Sequence, residues 1–110
     1  MKIDWKVFSD NELIIKDLNK IVKYEDNIIY YSDEYGLHKI DLDKKVYERN
    51  NTDNIFKIDF NTEILTIKFD NNDLKYNINT NYEDDGTVIK LTYSLGDENK
   101  VIEVTRKEEL

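Results

Sequence analysis

Greasy and polar residues alternate along most of this chain with a period of two. Residues 2–8 set Ile3, Trp5 and Val7 against Lys2, Asp4 and Lys6. Phe56, Ile58 and Phe60 oppose Lys57 and Asp59, and Leu65, Ile67 and Phe69 oppose Thr66 and Lys68. The same rhythm runs through Leu74-Tyr76-Ile78-Thr80, Ile89-Leu91-Tyr93-Leu95 and Ile102-Val104. Successive side chains of a strand point to opposite faces, so this pattern predicts antiparallel strands with one face covered and one in water. β-Branched and aromatic residues fill the apolar positions, as strands prefer.

Short polar clusters punctuate the strands: Asp33-Glu34-Tyr35-Gly36, Asp43-Lys44-Lys45, residues 50–54, Asp70 to Asp73, Glu83 to Gly86 and Gly96 to Asn99. Asn, Asp and Gly accept left-handed backbone angles or bond to their own backbone, so each cluster predicts a turn. Strands joined by such short turns pair in chain order, as a meander. Nine to eleven strands are expected, and so many in one short sheet would curl and close, which also removes exposed edges. The expected fold is therefore all-β: a single domain over 1–110, an antiparallel meander closing into a small calycin-like β-barrel.

Residues 10–25 admit two readings. Leu13, Ile14, Leu18, Ile21 and Val22 have helical spacing behind a capping-box sequence, Ser9-Asp10-Asn11-Glu12. Two strands, 12–17 and 20–25 with a turn at Leu18-Asn19, fit the same residues. The second is preferred because it lets this segment pair with residues 28–32.

Composition narrows function mainly by exclusion. The chain has 110 residues, no Cys, no Pro and one His, with 16 basic against 24 acidic side chains and a net charge of −8. Without Cys there is no disulfide framework, no Cys-ligated zinc and no thiol nucleophile. The negative charge repels phosphate, so direct nucleic-acid binding is not expected. The start of the chain lacks the apolar core of a signal peptide, and no run approaches the roughly 18 apolar residues of a membrane span. A cytoplasmic, soluble protein with no membrane association is expected. The charge is spread evenly along the chain, which predicts order and solubility rather than a disordered tail.

Few residues offer chemistry. His38 falls in phase with Ile40 and Leu42, which turns it inward, where a satisfied core histidine is the ordinary outcome. Asn81 to Val88 spaces oxygen ligands like a calcium loop, with Gly86 at the sixth position. Its twelfth position is Thr92 where a bidentate Glu is needed, so an acidic turn is expected and no metal. The three glycines are scattered and form no phosphate loop. Tyr24, Tyr30, Tyr31, Tyr35 and Tyr47 crowd one stretch and suit a cavity mouth or a surface patch. Tyr30, His38, Tyr47 and Tyr76 are expected to point inward near a barrel mouth and to line any ligand site. No catalytic residue and no cofactor is expected.

Residues 28–49, with their acidic Gly-ended turn and a strand ending in Arg49, and the later Ile89-x-Leu91-x-Tyr93-x-Leu95 strand resemble a small bacterial β-barrel family of unknown function with a lipocalin-like (calycin) fold. The resemblance spans most of residues 20–106, and this chain is shorter than that pattern between 60 and 80. It implies a non-enzymatic barrel with a small apolar ligand inside, as calycins at large tend to hold. The alternative expectation is an acidic interaction module, such as a phage-type (anti-CRISPR-like) inhibitor that engages a basic nucleic-acid-binding protein.

Overall fold

The computed structural model describes residues 1–107 and contains strands and turns throughout. Twelve strands follow in order: β1 (Lys2–Ser9), β2 (Glu12–Ile21), β3 (Lys23–Glu25), β4 (Ile28–Asp33), β5 (Gly36–Asp41), β6 (Val46–Asn50), β7 (Ile55–Asp59), β8 (Ile64–Phe69), β9 (Asn72–Asn77), β10 (Thr80–Asp84), β11 (Val88–Leu95) and β12 (Glu98–Lys107). Every pairing is antiparallel. No helix is long and apolar enough to cross a membrane among the described residues.

The all-β, antiparallel expectation holds, but the strands divide into two open sheets, and neither closes into a barrel. One sheet runs β10-β11-β12-β1-β2 and the other β3-β4-β5-β6-β7-β8-β9. They belong to two compact units, 1–22 with 79–110 and 23–78. Only the seven-stranded sheet is a pure meander. In the five-stranded sheet the first and last strands pair, from Lys2↔Lys107 to Ser9↔Lys100. Its covered face holds Ile3, Trp5, Ile89, Leu91, Tyr93, Ile102 and Val104, each buried. Burying such side chains contributes about 1.5–3 kcal/mol apiece.

Residues 10–25 are extended, and the helical alternative fails. Asp10 and Asn11 have φ of 49° and 68°. Two successive left-handed residues make the type I′ turn that joins twisted strands, so the apparent capping box is a hairpin turn. No turn forms at Leu18-Asn19. There β2 continues through a bulge with Asn19 at φ 57°, and the Asn19 N–H donates to Asp4 Oδ1 at 2.8 Å. The pairing foreseen with residues 28–32 is made by β3 alone. Likewise the Leu74–Thr80 alternation is not one strand: it breaks after Asn77 and resumes as β10. The split of this last segment raises the strand number to twelve, above the nine to eleven expected.

The seven-stranded sheet is built from a repeat. β4, β6 and β8 start at 28, 46 and 64, and β5, β7 and β9 end at 41, 59 and 77, so each hairpin lies eighteen residues after the last. The sequence repeats with it: Lys39-Ile40-Asp41-Leu42, Lys57-Ile58-Asp59-Phe60, Lys75-Tyr76-Asn77-Ile78. Each boundary is tied alike, since the N–H groups of Leu42, Phe60 and Ile78 donate to the carbonyls of Asn27, Lys45 and Glu63. Those three acceptors have φ of 60°, 56° and 57°. Asn adopts this conformation readily, whereas Lys and Glu pay a steric penalty for it.

The register places one row across all seven strands: Lys23, Tyr30, Lys39, Glu48, Lys57, Thr66 and Lys75. This face is wet. The opposite face buries Ile29, Tyr31, His38, Ile40, Tyr47, Phe56, Ile58 and Leu65.

Two outcomes are expected in urea titrations. Lys45→Asn and Glu63→Asn each stabilise the protein by about 0.5–1 kcal/mol, because the strained position is retained and the strain relieved. Gly36→Ala destabilises it by more than about 2 kcal/mol. Gly36 has φ of 130°, and a Cβ there would lie 2.4 Å from the Asn50 carbonyl oxygen.

Candidate functional site

The buried polar centre of the seven-stranded sheet grows from one hairpin. The two-residue turn Glu34-Tyr35 pairs Asp33 with Gly36 and sets Tyr31 opposite His38. His38 faces Arg49 on β6, while Tyr47 lies two residues away on the same face. A stack results: Tyr31 and His38 rings lie 5.6 Å apart, His38 and Tyr47 5.9 Å, and Phe56 meets Tyr47 edge-on at 6.4 Å. The Arg49 guanidinium sits 4.9 Å over the Phe56 ring.

Both His38 nitrogens are engaged. Nε2 is 2.8 Å from Asp33 Oδ1 and Nδ1 is 2.7 Å from the Tyr47 hydroxyl. A carboxylate only accepts, so Nε2 carries the proton and donates to Asp33; the neutral ring then accepts the Tyr47 O–H at Nδ1. Burial pushes the His38 imidazole below its ordinary value. The Asp33 carboxylate pulls it back up, and the Arg49 charge lowers it further. Tyr47 is 2% exposed, so the phenol end of this chain of bonds is sealed; only the Asp33 end approaches solvent.

At that end lies a groove of about 450 Å³ lined by Asp33, Glu34, Gly36, Asn50, Asn51 and Thr52. Asp33 Oδ1 also accepts the Tyr35 N–H at 2.9 Å, so the carboxylate is held by the turn as well as by His38. Two carboxylates, Asp33 and Glu34, and two amides, Asn50 and Asn51, stand in the groove wall, which suits a cation.

Of the four expected lining residues, the structure brings together His38 and Tyr47. Tyr30 stands on the opposite face, because adjacent residues of a strand cannot share one and Tyr31 takes the covered side. Tyr30 lies under Lys23 and Lys39, whose ammonium groups are 5.1 and 5.9 Å from its ring centre, beside a hollow of about 210 Å³ with Lys44, Glu48 and Lys57 in its wall. Tyr76 shares the His38 face but sits on the edge strand β9 and is 48% exposed. Sequence reading took Asp33 only as part of a turn, and counted Tyr31 among the clustered tyrosines without placing it in the lining. The signal was available: a two-residue turn at Glu34-Tyr35 fixes Tyr31 opposite His38, and Asp33 then closes the hairpin beside it.

The calcium-like segment is a turn. Asp84 Oδ1 accepts the Gly86 N–H, and Asp85 Oδ1 accepts those of Thr87 and Val88. Arg106 pairs with Asp84. The Val88 and Thr87 amides hold the Asp85 carboxyl below its usual value. Among the described residues no group of three or more His, Asp or Glu side chains gathers to hold a metal.

Comparison with protein-family models, with curated proteins and with solved structures finds no match to this chain.

The His38 cluster gives a pH signature. Folding lowers the imidazole pKa, so the unfolded chain binds a proton more readily than the fold as pH falls past about 6.5. Urea stability is therefore expected to drop between pH 7.5 and 5.5, and His38→Phe removes that slope. Tyr47→Phe strands a buried ring nitrogen and costs about 1–3 kcal/mol at pH 7.5.

Proposed function

We propose that this chain is a non-enzymatic interaction module that receives a basic side chain of a protein partner in the groove between the Asp33–Gly36 turn and residues 50–52. The observation that carries this reading is the fixed Asp33 carboxylate in the groove wall. Its Oδ1 is held by the His38 ring and the Tyr35 amide, so the group is oriented before any partner arrives. Exposed Glu34 adds a second charge at the rim. A net charge of −8 speeds encounter with a basic partner. An inhibitor that occupies the basic surface of a nucleic-acid-binding protein fits this chemistry. The cysteine-free chain suits a reducing compartment, and we place its action in the cytoplasm.

A small apolar ligand inside a calycin-like barrel is the other reading raised by the chain. It requires a sheet whose first and last strands pair, whereas β3, β9, β10 and β2 are edges here.

Fluorescence anisotropy with a labelled Lys/Arg-rich peptide at low salt tests the groove. Glu34→Gln, in the groove rim, is expected to weaken binding at least about fivefold, and the equal charge change Glu12→Gln, outside it, less than about twofold. Equal losses would reduce the effect to net charge and contradict the groove. Absence of binding at low salt would contradict the reading altogether.

A further inference from the structure

The two sheets have four edges, and three of them are guarded against pairing. β2 is broken by two register shifts, β3 is three residues long, and β10 ends in Glu83 and Asp84 before Asp85. β9 is neither broken nor cut short, and its edge charges are of opposite sign, Asp73 and Lys75, where those that end β10 are alike. It pairs with β8 at six successive positions, Phe69↔Asn72 to Ile64↔Asn77, without a shift.

The repeat shows what this edge lacks. In the first two hairpins the outer strand is covered by the next repeat, β5 by β6 and β7 by β8. His38 and Phe56 are then 5% and 6% exposed, and Ile40 and Ile58 are 1% and 0%. Leu74 and Tyr76 occupy the same repeat positions on β9 and are 41% and 48% exposed. The array ends on a strand whose Leu74 and Tyr76 have nothing beside them in the chain's own pairing.

The backbone and charges of β9 define what fits there. The two-residue turn Asp70-Asn71 makes Phe69–Asn72 the closing hydrogen-bonded pair, and the Ile78 N–H still reaches the Glu63 carbonyl at the far end. Asn72, Leu74 and Tyr76 therefore bond inward, and the N–H and C=O groups of Asp73, Lys75 and Asn77 face the open edge. A two-fold axis through Leu74 would set Leu74 against its symmetry mate as a close, non-hydrogen-bonded pair. It would set Asp73 against Lys75 of the other copy, twice, as hydrogen-bonded pairs of opposite charge, with Tyr76 beside the other copy's Asn72. Neither Asp73 nor Lys75 has an ion pair with a described residue to give up. Centring the axis on Lys75 would oppose two ammonium groups.

We propose that β9 pairs with β9 of a second copy in the Leu74-centred antiparallel register, giving a closed two-fold dimer through a continuous sheet. The contact is short, so it forms at high micromolar concentration and not at nanomolar.

Sedimentation equilibrium from about 10 μM to 1 mM tests this. The wild type is expected to pass from monomer to dimer and no further. Lys75→Asp and Asp73→Lys, each of which opposes like charges twice, weaken the dimer about tenfold or more. The combined exchange restores it to within about threefold, while circular dichroism confirms that all variants are folded. A monomer at 1 mM overturns the proposal. So do single exchanges without effect, a combined exchange that fails to restore, or growth beyond the dimer, which would signal head-to-tail pairing of unlike edges.

Discussion

The pairing register of the seven-stranded sheet is the constraint on which the rest of that unit depends. Side chains alternate faces, so a slip of one residue would carry Tyr31, His38, Tyr47 and Phe56 into water and bring Tyr30, Lys39, Glu48 and Lys57 under cover. Hydrophobic burial opposes that slip, and so does the boundary device repeated at Asn27, Lys45 and Glu63. Each boundary residue turns left-handed and offers its carbonyl to an amide fifteen residues on. Two of the three accept strain to do so, which shows that the hydrogen bond and the register it fixes outweigh the local preference of Lys and Glu.

Within that frame one repeat differs from the others. His38 stands where the second and third repeats carry Phe56 and Leu74. A polar ring in an apolar position must find partners for two nitrogens, and it finds them in Asp33 from its own hairpin and Tyr47 from the next. The exchange ties the first two repeats together by polar bonds as well as by packing. It also fixes a carboxylate at the mouth of a groove, which connects the interior of the sheet to its chemistry at the surface. Arg49 also lies on this covered face, with its guanidinium over the Phe56 ring. Carboxylates gather at the turns, where Asp41, Asp59, Asp84 and Asp85 accept backbone amides, and lysines line the wet face of the sheet.

The strands and most turns were legible because period two is a local property and Asn, Asp and Gly mark turns by their own chemistry. Sheet partition was not. Nothing local tells β1 to pair with β12, and the assumption that a long meander must close failed because the chain joins two sheets through residues near 22 and 78. The strand alternation also masked the eighteen-residue repeat: Lys-Ile-Asp at 39–41 and 57–59 reads as ordinary strand grammar until the register aligns it. At the site, His38 and Tyr47 were placed by phase, and Tyr30 was misplaced because two adjacent tyrosines offer equal apolar signals and only the hairpin decides between them. The exposure of Tyr76 follows from its position on an edge, which alternation does not encode.

The register is tested most directly by cross-strand Hα–Hα nuclear Overhauser contacts, which arise only between non-hydrogen-bonded antiparallel pairs with Cα atoms about 4.5 Å apart. The account predicts one such contact at the centre of each repeat: Tyr30 with Lys39, Glu48 with Lys57, and Thr66 with Lys75. Contacts displaced by one residue, or present in one hairpin and missing from the other two, would contradict it.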